Sequence, residues 1–193
     1  MKTTRTCVFY YLTKDWLKEI KKYQLEDEVI EYLKATCFKG EYGNSAVYTS
    51  SDIDLVFIGL GGKEHGQMEE KKHWLPVYKL RDLGGLTGQI AIGRKSMNVI
   101  CNIPVKSDID ERLFAREITF GMFYSTYRFD YKVETKEKDP IEIRDVKFLT
   151  VSGRPVRREV IDAIKEGSIL AESVNYIRRL IETPSNIKTP SNI

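Results

Sequence analysis

Asp54-Leu55-Val56-Phe57-Ile58-Gly59-Leu60, followed at once by Gly61-Gly62, decides the fold class. After Asp54 the run is continuously apolar instead of alternating with polar residues. That pattern suits a strand covered on both faces, as in the middle of an α/β sheet. Just upstream, Ala46–Thr49 is a second short strand, and the glycines of Phe38-Lys39-Gly40-Glu41-Tyr42-Gly43 permit a turn. Further upstream, Thr6–Leu12 is rich in β-branched and aromatic residues and predicts the first strand. A short helix capped by Asp15 and a second one through Leu25, Val29, Ile30 and Leu33 lie between.

Downstream the alternation continues. Residues 74–94 predict a helix interrupted at Gly84-Gly85, because glycine is a poor helix former. Met97–Ile103 predicts a strand ending at Pro104. Asp108 or Asp110 caps a helix running to about Tyr127, with Leu113, Phe114, Glu117, Ile118 and Gly121 on its inner face. Small Gly121 allows close packing there. Asp145–Val151 is a further strand and Ser152-Gly153-Arg154-Pro155 a turn. The last helix carries one expected stripe of Val160, Ile161, Ile164, Ser168, Ala171, Val174, Ile177 and Ile181, and stops before Pro184. Residues 183–193 repeat Thr-Pro-Ser-Asn-Ile and predict an extended linker. Strands alternating with helices imply a three-layer α/β/α domain with a mixed central sheet, followed by a long linking helix. The expected divisions are 1–153, 154–182 and 183–193.

Composition narrows the function classes. The 193 residues carry 31 basic and 28 acidic side chains, a net charge of +3 that does not by itself argue for nucleic acid. No apolar run approaches the ~20 residues of a membrane span, and the polar, basic start does not resemble a secretory signal. Cys7, Cys37 and Cys101 are odd in number and widely spaced, which predicts reduced thiols and a cytoplasmic protein.

Few residues offer chemistry. Gly59, Gly61 and Gly62 close a buried strand, and such a loop is either a tight turn or a cradle for phosphate. Position 64 is Glu, so neither a dinucleotide fingerprint nor a P-loop is complete. His65 and His73 are eight apart within a charged stretch and form no zinc motif. Cys101 is expected to be packing rather than nucleophile. Asp52 with Asp54, Asp108 with Asp110, and Glu69 with Glu70 pair carboxylates without forming a hard-metal cluster. Arg154, Arg157 and Arg158, with Arg178 and Arg179, either solvate a helix or track a phosphate backbone.

Two stretches carry a family resemblance. Residues 121–132 read Gly-Met-Phe-Tyr-Ser-Thr-Tyr-Arg-Phe-Asp-Tyr-Lys, and residues 171–190 read AESVNYIRRLIETPSNIKTP. The first resembles the Tyr-Arg-Phe-Asp helix end of cytosolic leucyl aminopeptidases, with Tyr131 following Asp130 directly. The second resembles the same family's junction through Arg178, Leu180, Thr183, Pro184, Asn186, Thr189 and Pro190. Glu182 stands where Asn is usual, and Arg179 where an acid is common. The Phe38–Gly43 turn and the Val56–Gly61 strand end are similar too.

The resemblance implies a macrodomain-like N-terminal domain, a linking helix and then a catalytic domain in a homohexamer. The family uses two divalent metals, manganese or zinc, held by Lys, Asp and Glu around the signature Asn-Thr-Asp-Ala-Glu-Gly-Arg. That signature does not occur in this chain, so no catalytic or metal residue is assigned and no cofactor is expected in it. The expected partner is the catalytic domain of the same parent chain. Two other functions follow from the residues: nucleotide or ADP-ribose binding at Gly59, Gly61 and Gly62, and DNA binding through Arg157 and Arg158, as in some bacterial members of the family.

Overall fold

A computed structural model describes residues 5–62, 75–105, 109–128 and 142–185. Five strands form one sheet: β1 (Thr6–Thr13), β2 (Ser45–Ser50), β3 (Ile53–Gly61), β4 (Asn98–Asn102) and β5 (Asp145–Leu149). Their spatial order is β2-β3-β1-β4-β5. All neighbours are parallel except β2, which lies antiparallel on the β3 edge. The sheet is therefore mixed, as expected.

Both faces of the sheet are covered, which explains the apolar runs. Along β1, Cys7, Phe9 and Tyr11 enter one core with Val56, Ile58, Val99 and Cys101. Val8, Tyr10 and Leu12 enter the other with Phe57. The second core is closed by α1 (Trp16–Glu19), a following 3-10 turn (Ile20–Tyr23) and α2 (Asp27–Ala35), through Trp16, Ile20, Val29 and Leu33. The first is closed by α3 (Val77–Gly93) and α4 (Glu111–Ser125), through Leu80, Leu83, Phe114 and Ile118. The last helix, α5 (Arg158–Glu182), packs outside on α4, and its first turn reaches the same core through Val160. The result is three layers and a long terminal helix.

The structure corrects four local expectations. The α3 helix is unbroken through Gly84-Gly85, because tertiary contact there outweighs helix propensity. A side chain at Gly84 would stand 2.3 Å from the Ile118 carbonyl oxygen, and one at Gly121 would stand 2.0 Å from that of Arg81. The glycines let two helix backbones touch, as the sequence suggested for Gly121 alone. Helix α4 ends at Ser125, short of Tyr127. At the start of α1, Asp15 occupies the cap position but makes no capping bond. Instead Thr13 donates its amide and hydroxyl to the Glu19 carboxylate.

The stripe on α5 also differs. Val160, Ala163, Gly167 and Ala171 are the buried positions, whereas Ile161 and Ile177 are exposed. The reason is again close approach. A side chain on Gly167 would meet the Arg116 carbonyl oxygen at 2.3 Å, so the small residues, not the largest apolar ones, face α4. Of the two expected caps, Asp108 lies outside the described residues. Asp110 does cap α4, accepting from the amides of Arg112 and Leu113 at 2.9 and 3.0 Å.

Candidate functional site

Among the described residues, those singled out from sequence do not assemble into one site. Gly59 and Gly61 are held by the Phe38–Gly43 turn. The Gly59 amide donates to the Asn44 carbonyl at 2.7 Å, and the Gly61 amide to that of Gly40 at 2.9 Å. A side chain at Gly59 would overlap the Glu41 carbonyl oxygen at 1.9 Å, and Gly61 adopts a φ of +82°. Both glycines are thus accounted for by a tight backbone crossing, with two of the loop's amides already donating within the chain. Gly62 lies against the Lys14 side chain.

Arg157 and Arg158 are exposed at the start of α5. Arg178 and Arg179 lie about 30 Å away at the other end, given ~1.5 Å per residue. The helix therefore separates the two basic groups. His65, His73, Glu69 and Glu70 lie outside the described residues.

Three buried polar clusters have structural partners. Asp54 is fully buried and accepts from Arg94 at 2.7 and 2.9 Å and from the Thr49 hydroxyl at 2.8 Å, with Arg5 at 3.5 Å. Burial pushes its carboxyl up. The hydrogen bonds from Arg94 and Thr49 and the two positive charges outweigh that and hold it below the usual carboxylate range. Glu117 is likewise buried on α4, between Arg81 and Arg116. Cys101 is buried in the core with its Sγ 3.5 Å from the Tyr11 hydroxyl, and burial pushes its thiol up to about 12. That is the state of a packing residue, not of a nucleophile.

One site was not visible in the sequence as a site. The two stretches that carry the family resemblance meet in space. Near the end of α4, Phe120 and Tyr124 stack at 5.7 Å. Arg81 of α3 lies over the Phe120 ring at 4.7 Å. Arg178 of α5 covers Tyr124 at 4.8 Å and Tyr127 at 4.4 Å. The result is a ladder of arginines and rings across three helices. Arg178 also donates to the Tyr124 carbonyl at 3.1 Å, Asn175 to the Phe123 carbonyl at 3.1 Å, and the Tyr127 hydroxyl to Glu182 at 3.0 Å. Tyr127 is raised above its ordinary pKa by local desolvation first and by Glu182 next. An open groove of about 600 Å³ runs alongside between α3 and α4, lined by Tyr78, Arg81, Asp82, Leu86, Phe120 and Tyr124 among others.

This clasp uses the first motif's Tyr127 and the second motif's Arg178. Phe129, Asp130, Asn186, Thr189 and Pro190 of the same motifs lie outside the described residues. The chain is 29% identical over 167 residues to a cytosol aminopeptidase of Dictyostelium discoideum, covering 85% of this chain and 30% of that protein. A probable cytosol aminopeptidase of Rickettsia canadensis is 31% identical over 163 residues, with 79% and 29% covered. The fold matches a tomato leucine aminopeptidase with a TM-score of 0.72 at 16% identity, over 100% of this chain and 38% of that one.

The chain is similar in sequence to part of the cytosol aminopeptidases and has the fold of the N-terminal domain of leucine aminopeptidases. The bottromycin maturation enzyme BotP shares the fold as well, with a TM-score of 0.66 at 14% identity over 98% of this chain and 35% of that one. No protein-family model matches. The chain spans about 30% of the length of the curated aminopeptidases it matches. The buried carboxylates are not suited to holding a divalent metal. Asp54 and Glu117 each face two arginines, whose charge opposes a cation, and no group of three His, Cys, Asp or Glu gathers among the described residues. No helix among them is long and apolar enough to cross a membrane.

Proposed function

We propose that this chain is the non-catalytic N-terminal domain of an aminopeptidase, a scaffold for a catalytic part that removes N-terminal amino acids from peptides. The supporting observation is the asymmetry of coverage. The match spans 85% of this chain but 30% of the Dictyostelium aminopeptidase. The family's metal-binding signature is likewise not among these 193 residues. On this reading the divalent metals and the homohexamer belong to the catalytic part. The domain serves assembly, access or regulation, and the clasp between α4 and α5 holds the linking helix in a fixed direction. That geometry favours a scaffold over a nucleotide or DNA site, since the Gly59 and Gly61 amides donate within the chain and the basic groups of α5 lie far apart.

The test is an assay of the purified chain with a leucyl chromogenic substrate and added manganese or zinc. No turnover is expected. Metal-dependent turnover that tracks this chain through purification overturns the reading.

A further inference from the structure

Strands β1, β3, β4 and β5 run parallel, so their carboxyl ends share one edge of the domain. From β1 the chain crosses to the face closed by α1 and α2. From β4 it crosses to the opposite face, closed by α4. β1 and β4 are neighbours, so the two connections diverge between them. Open α/β sheets form a ligand crevice where neighbouring connections diverge in this way. Here an open cavity of about 360 Å³ occupies that place. Lys22 lines it from the β1 connection, Ile103 and Val105 from the end of β4, Ile109 and Glu111 from the start of α4, and Val151 from the end of β5. Helix α5 contributes none of the lining among the described residues. Its 25 residues carry the chain about 37 Å away, given ~1.5 Å per residue.

The lining divides by chemistry. Ile103, Val105, Ile109 and Val151 supply an apolar floor. Lys22 and Glu111 bring opposite charges from different elements, and neither has an ion-pair partner among the described residues. Both Asp110 and Glu111 place carboxylates at the start of α4, and Asp110 already accepts from the Arg112 and Leu113 amides. That helix end therefore disfavours a phosphate instead of cradling one. A fitting ligand carries a carboxylate for Lys22, a cation for Glu111 and an apolar body for the floor. We propose that the crevice binds a free α-amino acid with an apolar side chain, its carboxylate on Lys22 and its ammonium on Glu111. The binding chemistry is independent of the scaffold reading. That the ligand is the product released by a catalytic part rests on it, and on that reading the domain senses product.

The test is a titration of the isotope-labelled 193-residue chain with L-leucine, followed by amide chemical shifts. Saturable shifts at Val105, Ile109 and Val151 are expected, with a Kd of about 1 mM for so small a ligand. N-acetyl-L-leucine lacks the cation and leucinamide lacks the carboxylate. Each should bind about tenfold more weakly, as should leucine to Glu111→Gln and to Lys22→Met, since one charge-assisted hydrogen bond is lost in every case. Glycine should bind more weakly still, because it leaves the floor uncovered. Circular dichroism should show both variants folded, because neither side chain has an ion-pair partner to lose. No shifts up to about 20 mM leucine, a concentration well above the expected Kd, overturns the proposal. So do shifts centred away from this crevice, or binding that is indifferent to both variants and to both blocked analogues. Binding without turnover keeps the scaffold reading, and turnover without binding removes that reading and this site separately.

Discussion

The guanidinium of Arg178 lies 4.4 Å from the ring centroid of Tyr127 and ties the C-terminal half of α5 to the end of α4. The same side chain covers Tyr124 and donates to its carbonyl. An arginine over two rings with a hydrogen bond combines cation–π attraction with directional bonding, together worth roughly 1–2 kcal/mol. Arg178→Ala should therefore loosen the last turns of α5 more than the sheet. In hydrogen exchange, amides from about 172 to 182 should lose protection while those of β1 and β3 keep theirs. Arg178→Lys should not rescue fully, because an ammonium lacks the planar face that stacks. Uniform loss of protection over the whole domain would show that the clasp is not local.

Much of the architecture was open to reading because burial on two faces leaves a plain mark. Leu55, Val56, Phe57 and Ile58 can be apolar in succession only if both faces of β3 are covered, and they are. What misled was backbone contact. Helix propensity counts Gly84 as a breaker, yet the position needs glycine because the Ile118 carbonyl occupies the space of a side chain. The α5 stripe held at Val160 and Ala171 and failed at Ile161 and Ile177. Ranking by apolarity adds Ile161 and Ile177, while close packing selects Ala163 and Gly167. Both halves of the clasp were legible as motifs, but their meeting was not. Arg178 and Tyr124 are 54 residues apart, and no local periodicity links them.

Asp54 should give the domain an acid-sensitive component of stability. Its folded carboxyl titrates below the ordinary value, held there by Arg94, Thr49 and Arg5 against burial. As pH falls, the unfolded chain takes up that proton first, so the contribution is complete above about pH 4 and is lost as pH drops through the folded value. Breaking a buried pair by removing one partner's charge costs about 3 kcal/mol. Thermal unfolding of the native chain and of Asp54→Asn should show a constant gap between about pH 8 and pH 5, narrowing below about pH 4. A gap independent of pH would mean that packing, not charge, makes the residue matter.

The three cysteines should separate sharply by reactivity. Cys37 is exposed, while Cys7 and Cys101 are buried. Burial raises the Cys7 thiol above its ordinary range, and the Cys101 thiol reaches about 12, leaving few thiolates at neutral pH. Reagent can reach the two buried thiols only when the sheet opens, which requires most of the global unfolding free energy. Brief treatment with iodoacetamide at pH 8 should add one adduct to the folded chain, at Cys37, and three after denaturation. Tyr11→Phe should speed modification of Cys101 modestly, because it removes hydrogen bonds to Thr87 and Cys101 worth about 1 kcal/mol and so lowers the cost of opening. Labelling of Cys101 as fast as that of Cys37 in the folded chain would contradict its placement between β1, α3 and α4.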